Sequence, residues 1–168
     1  MPVGEHSLAV ARPFVLSNHS LTQLVGVHPD LVAVVTRAIR LSTQDFRVTD
    51  GIRTPAEQRK LVEAGKSWTM RSRHLVQPDG FGHAVDLVPW LAGKLSWEWP
   101  LCYQVAAAMS DAARDAGIQL RWGGVWDRPM DACGQISNEL KNAVDSYVAR
   151  RRKAGLRAAI DGPHFELL

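Results

Sequence analysis

The stretch His83-Ala-Val-Asp-Leu-Val88 constrains this chain more than any other. Its apolar residues, bounded by turn-forming ones, read as a short buried strand. Asp86 stands inside that run. A carboxylate there is costly unless something compensates its charge. Side chains alternate along a strand, so Asp86 shares a face with Ala84 and Val88, and the small Ala84 leaves space beside it. His83 points to the opposite face. A straight strand therefore cannot offer both His83 and Asp86 to one ion. His74 lies across a loop containing Pro78, Asp79 and two glycines, and a loop can fold it back beside Asp86. A histidine nitrogen and a carboxylate oxygen are two ligands for zinc, and a third is needed.

The rest of the chain reads as a frame for that strand. Leu31, Val34, Val35 and Ala38 recur at helical spacing after His28-Pro29-Asp30. Residues 45–50 read as a short strand with Phe46 and Val48 on one face. Thr54-Pro-Ala-Glu57 is a capping box, and the helix it opens is expected to end at Gly65. Residues 100–116 form a helix whose apolar face includes Leu101, Val105, Ala108, Met109, Ala112 and Ala116, stopped by Gly117. Residues 119–124 read as a strand that breaks at Gly123-Gly124. Residues 136–154 give a further amphipathic helix through Ile136, Leu140, Ala143, Val144, Tyr147 and Val148. The closing segment GPHFELL has room for a terminal strand. Residues 1–16 read as a poorly structured lead-in. No repeat, low-complexity tract or linker interrupts the 168 residues, which are expected to form one domain. The class is α+β, a small, mainly antiparallel sheet with helices packed around it.

Composition narrows the function only by exclusion. At 46% hydrophobic and 22% charged, the chain matches neither disordered nor fibrous sequences. No apolar run reaches the length of a membrane span, and the N-terminus lacks the pattern of a signal peptide. Cys102 and Cys133 form no CxxC pair, which speaks against a thiolate zinc knuckle or a redox motif. The net charge of +3 suits an anionic partner, but weakly. Arg150-Arg-Arg-Lys153 reads first as the solvated C-terminal end of a helix, where cations complement the dipole. A contact with an anionic envelope is the other reading.

Of the six histidines, His6, His19 and His28 precede the expected sheet. His164 lies in DGPHFELL, beside an apolar run, with Asp161 three residues before it. A carboxylate at a turn held by Gly162-Pro163 can reach a water on a metal, the position of a general base. A lone histidine is more often structural, and a strand aspartate more often hydrogen-bonded. The combination of two histidines and two aspartates at apolar strand ends is more telling.

Several motifs then align. SRH…GHAVD resembles the Ser-x-His…Gly-x-Ala-x-Asp signature of the zinc D,D-carboxypeptidase and L-alanyl-D-glutamate endopeptidase family, and DGPHFEL resembles its closing segment. DGIRTPAEQ and RWGGVW resemble its arginine segment and its Trp-Gly-Gly turn. The matches run in order from residue 48 to 168. An aspartate ahead of the last histidine resembles the phage endolysin branch. The resemblance implies zinc at the sheet face, held by His74, Asp86 and His164 with water as fourth ligand. It implies Asp161 as the group that activates that water, and Arg53 as the stabiliser of the developing oxyanion. Ser72, Trp122, Gly123 and Gly124 are implied to bind substrate or shape the cleft. The sequence departs from the family pattern twice. Seven residues, 75–81, stand where the pattern has two, and residues 127–160 intervene before the closing segment as a helical insertion.

The resemblance implies a monomeric peptidase that cuts the L-Ala–D-Glu amide of bacterial peptidoglycan during host lysis. It would be made in the host cytoplasm and would reach the periplasm through a membrane lesion made by another protein. A D-Ala-D-Ala carboxypeptidase of the same fold is one alternative. A non-catalytic wall-binding or phage structural protein is another, although it would need neither Asp161 nor Arg53. A nucleic-acid binder would rest on the ARRRK run alone, with no recognisable motif behind it.

Overall fold

A computed structural model describes residues 12–168. The expected lead-in falls partly on residues 1–11, outside that range. Residues 12–17 have no regular structure, yet Phe14 and Leu16 pack against the core. Helix α1 (Asn18–Gln23) follows, capped by the Ser17 side chain, and was not legible as a helix. Helix α2 (Pro29–Leu41) carries Leu31, Val34, Val35, Ala38 and Ile39 on its buried face, as the spacing predicts. Helix α3 (Pro55–Glu63) opens with the Thr54–Glu57 capping box, both of its reciprocal hydrogen bonds being present. Helix α4 (Trp99–Ala116) ends at Gly117 in the left-handed conformation. Helix α5 (Ser137–Lys153) follows a short 3-10 turn at Met130–Ala132. Ile136, expected on the buried face of α5, instead precedes the helix and is exposed. Its neighbour Ser137 starts the helix, so Ile136 never joins the stripe led by Leu140, Val144 and Tyr147.

The strands are β1 (Phe46–Asp50), β2 (Ala84–Leu91), β3 (Lys94–Leu95), β4 (Leu120–Trp122) and β5 (His164–Leu167). The order is β1-β2-β5-β4, with β3 paired to the far end of β2, and every pairing is antiparallel. Strand β2 is longer than expected, since it runs through Pro89 into a tight turn at Ala92-Gly93.

Alternation divides this sheet into two unlike faces. Phe46, Val48, Val85, Leu87, Leu120, Trp122, Phe165 and Leu167 belong to the hydrophobic core, together with the inner faces of α2 and α4. Burying such side chains contributes roughly 1.5–3 kcal/mol each. That sum fixes the register, because a one-residue slip would turn the whole set to the other side. The opposite face carries Arg121, Glu166, His164 and Asp86. A bulge in β1 completes it. Val48 pairs with Leu87, and the next pair is Asp50 with Asp86. The extra residue, Thr49, brings Asp50 onto the polar face, where regular alternation would have turned it into the core. Bulges beside functional sites commonly re-aim one side chain in this way.

Candidate metal centre and cleft

The polar face of the sheet floors a cleft of about 900 Å³. Asp86 and His164 are directly paired residues of β2 and β5. His74 comes from the loop after α3, as expected for a residue that folds back beside Asp86. Ser72 Oγ accepts the His74 backbone N–H at 3.2 Å, and the His74 carbonyl accepts the Arg53 N–H at 2.8 Å.

Three donor atoms meet there. His74 Nε2 lies 3.3 Å from His164 Nδ1 and 3.3 Å from Asp86 Oδ1, and His164 Nδ1 lies 3.2 Å from the same Asp86 oxygen. Zinc binds nitrogen and carboxylate oxygen at ~2.0–2.2 Å in a tetrahedron, whose edges are then about 3.3–3.5 Å. The triangle has the size of one face of that tetrahedron, so the residues fit a small tetrahedral cation. Their supports fit one too. His74 Nδ1 lies 2.6 Å from the Gly51 carbonyl, and His164 Nε2 lies 3.0 Å from Glu166 Oε2. Each ring thus has its outer nitrogen anchored and its inner nitrogen turned to the centre, the usual arrangement around metal-binding histidines.

Without a cation the three groups hold one another. Burial opposes ionisation of Asp86, yet hydrogen bonds from His164 and His74 win, and its carboxyl is held well below the usual carboxylate range. Burial also opposes a charged His164, but Asp86 and Glu166 on either side raise it to about 9. Glu166 is lowered against its own burial, chiefly by His164. Asp161 behaves oppositely. Burial raises it first, and the Asp86 charge adds to the effect. Among the described residues no cation or hydrogen-bond donor holds the Asp161 carboxylate.

Arg53 also lies on the cleft wall. Its Nη1 donates to Gln58 Oε1 at 2.7 Å, its Nε to Asp50 Oδ2 at 2.8 Å, and its Nη2 also meets Asp50. The same Nη2 stands 3.6 Å from Asp86 Oδ2. Gln58 is fully buried and is tied in turn to Ser67 and Thr69, so the guanidinium has a fixed seat.

The Trp-Gly-Gly turn lies beneath the cleft. Trp122 alternates with Arg121, so it points into the core and is wholly buried. Its Nε1–H donates to the Gly162 carbonyl at 2.8 Å, which holds the turn between Asp161 and His164. Gly123 is the splice. Its N–H donates to the His164 carbonyl and its carbonyl accepts the Asp161 N–H, both at 2.8 Å. A Cβ at Gly123 would stand 2.3 Å from the Asp161 carbonyl oxygen, so only glycine allows this approach. A Cβ at Gly124 would stand 2.7 Å from the Trp122 ring. The three residues form a scaffold beneath the cleft, while Ser72 reaches its lining.

Sequence reasoning assigned no role to Glu166, Gln58, Asp50 or Trp126. Glu166 was legible in principle, since it stands two residues from His164 and so shares its face. Trp126 packs its ring 5.1 Å from that of His164, and Trp68 meets Trp126 edge-on at 6.1 Å. Trp68 and Trp97 line the cleft although both are largely exposed. The two departures from the family pattern also have places. Loop 75–81 lies outside the donor triangle, and His83 turns away from it towards Asp79. The insertion sends Tyr147 and Arg151 of α5, and Arg157 beyond it, to the cleft wall. Arg150, their neighbour, pairs with Asp127 at 2.9 Å.

Comparison with known proteins places this arrangement in context. The family model described as "Phage L-alanyl-D-glutamate peptidase" matches residues 12–168. An L-alanyl-D-glutamate peptidase of Escherichia phage T5 is 31% identical over 159 residues, covering 92% of this chain and 98% of the relative. The crystal structure of the L-Ala D-Glu endopeptidase ChiX of Serratia marcescens superposes with a TM-score of 0.68 at 38% identity, covering 96% of each chain.

Proposed function

The chain belongs to the phage L-alanyl-D-glutamate peptidase family, and from that premise we propose that it hydrolyses the L-Ala–D-Glu amide of peptidoglycan stem peptides, with zinc at the His74–Asp86–His164 triangle. The observation that carries this reading is the triangle itself, three donors 3.2–3.3 Å apart at the floor of the cleft, with the unpaired carboxylate of Asp161 beside it. The names of the relatives favour this bond over the D-Ala-D-Ala bond of the carboxypeptidase alternative. They also support a role in degrading the host wall at the end of a phage cycle. Among the described residues no helix is long and apolar enough to cross a membrane.

A zinc ion bound there would supply Lewis acidity and lower the pKa of a water towards ~7. The chain supplies the rest. Asp161 takes the proton of the attacking water and passes it to the D-Glu amine as the amide breaks. Its raised affinity for protons suits a group that must both accept and return one. Arg53 offsets the negative charge that grows on the L-Ala carbonyl oxygen, and its ties to Gln58 and Asp50 mean that it need not reorganise to do so. Glu166 and the Gly51 carbonyl keep the two imidazoles turned inward.

The charge of the cleft supports an acidic substrate. Lys66, Arg71, Arg73, Arg151 and Arg157 line it, and none forms an ion pair among the described residues. A stem peptide carries free carboxylates on the D-Glu side of the cleaved bond, and cations without partners of their own can bind them. Mass spectrometry of digested murein tests the whole reading. New N-termini on D-Glu and new carboxyl ends on L-Ala are expected, and free D-Ala as the sole product would overturn it.

A further inference from the structure

We propose that His28, Asp79 and His83 form a second, weaker transition-metal site, which clamps the inserted loop to the body of the protein. It lies outside the catalytic cleft and does not depend on the peptidase reading. His28 caps the start of α2, His83 precedes β2, and Asp79 sits in the turn of loop 75–81. One ligand atom from each lies within 4.8 Å of the others.

The two histidines stand on a shared backbone. The His28 N–H donates to the Gly82 carbonyl and the Gly82 N–H to the Gly26 carbonyl, both at 2.9 Å. The His83 N–H donates to the Arg73 carbonyl at 2.7 Å. These bonds hold the imidazole rings with centroids 5.2 Å apart. The loop is a tight turn closed by Gln77 N–H to the Phe81 carbonyl at 2.8 Å, and it holds Asp79 in place with one carboxylate oxygen for each task. Oδ1 accepts the Phe81 N–H at 3.2 Å. Oδ2 faces both rings, 2.6 Å from His83 Nε2 and 3.8 Å from His28 Nε2. These separations straddle the ~3.3 Å edge expected around a tetrahedral cation with bonds of about 2.0–2.2 Å. Two imidazoles and one carboxylate suit zinc, copper or nickel, and they do not suit calcium or magnesium.

Ligation has a cost that sets the order of the two sites. A neutral imidazole that binds through Nε2 carries its proton on Nδ1. His28 Nδ1 now accepts the Asp30 N–H at 3.2 Å, so this cap bond would be given up. Asp30 Oδ2, 3.9 Å from the same nitrogen, can then take the new N–H after a small turn of an exposed side chain. The catalytic triangle has no such cost, because both its outer nitrogens already have anchors. The second site must therefore be the weaker one, and its metal exchangeable.

Zinc titrated into metal-stripped protein, followed by calorimetry and by thermal melting, tests this. Two equivalents should bind, one at least ~10-fold tighter than the other, since a single lost cap or bond is worth about that factor. His28→Ala and His83→Ala should each lose the weaker equivalent and keep the tighter. His74→Ala should do the reverse. Asp79→Asn, on an exposed loop, serves where an alanine variant fails to fold. A single equivalent in the wild type that His74→Ala abolishes would overturn the proposal, as would a second equivalent that survives in His28→Ala, His83→Ala and Asp79→Asn alike. Failure of the catalytic reading has a different signature, loss of the tighter equivalent from the unaltered protein with the weaker one intact.

Discussion

At the scale of single residues, the sharpest question is what Asp161 does. Asn has nearly the shape of Asp but cannot accept the proton of an attacking water. Asp161→Asn should keep the fold and the metal and lose ~10²–10⁴-fold in turnover, the usual worth of general acid–base catalysis. If Asp161 only shaped the Gly162-Pro163 turn, Asn would serve and murein would clear at the normal rate. If it were a metal ligand, zinc content would fall together with activity. Glu166→Gln is a complementary case. It removes charge behind His164 Nε2 without removing an acceptor. Changes of this kind behind a metal-binding histidine usually cost ~10–100-fold in metal affinity, and equilibrium dialysis against a zinc buffer would measure it. An unchanged affinity would mean that Glu166 serves Arg121 rather than the metal centre. Asp86 and His164 stood out because a carboxylate and an imidazole are conspicuous beside apolar strand residues, and the family resemblance joined His74 to them. Trp122 is buried beneath the cleft rather than exposed in its wall. Its alternation with Arg121 already turned it the other way.

At the scale of elements, β2, β5 and the loop after α3 deliver the donors, and that loop, α5 and the segment beyond α5 deliver the cations of the cleft. The register of the sheet follows from apolar alternation, so the positions of Asp86 and His164 could be read from sequence. The bulge at Thr49 could not, because an extra residue leaves no compositional mark, and it alone accounts for Asp50 facing Arg53. The helical insertion was legible as a helix, while the sequence left open whether it faces the substrate or the solvent. Arg151 breaks no amphipathic rule when it faces a groove instead of bulk water. A double change, Arg151→Ala with Arg157→Ala, should raise KM for murein and leave kcat little altered if, as proposed, these cleft residues hold substrate carboxylates away from the scissile bond. Added salt should narrow the difference from wild type, as screening weakens the cationic contribution. A fall in kcat with KM unchanged would instead make α5 part of the catalytic apparatus. Gly123→Ala should behave differently again. Its Cβ would collide with the Asp161 carbonyl oxygen, so the turn must shift, and both metal affinity and turnover should drop.

For the whole molecule, the metal centre and the stability of the fold are linked through protons. Asp86 and His164 belong to neighbouring central strands, so their charges bear on the sheet as well as on the site. In metal-free protein the Asp86 pKa is depressed from 3.8, and its contribution to stability is present above that value and is lost as pH falls. The His164 pKa is raised from 6.5 to about 9, and its contribution is complete below 6.5 and is lost as pH rises through 9. On these two groups, metal-free protein should be most heat-stable between about pH 4 and 6.5 and should weaken from there to pH 9. Zinc bound at the proposed site would change the balance, because it would need the lone pair of His164 Nδ1 and so compete with the proton. Raising the pH from 6.5 to 9 therefore removes the competitor at the same time as it removes the ion pair that holds metal-free protein together. The melting temperature with saturating zinc should hold roughly level across that interval while that of chelator-treated protein falls, so the gap between them widens. Paired thermal scans at half-unit steps of pH would follow it. A gap that stays constant from pH 6.5 to 9 would mean that His164 is already neutral in metal-free protein, and that the ion pair with Asp86 contributes nothing to holding β2 against β5.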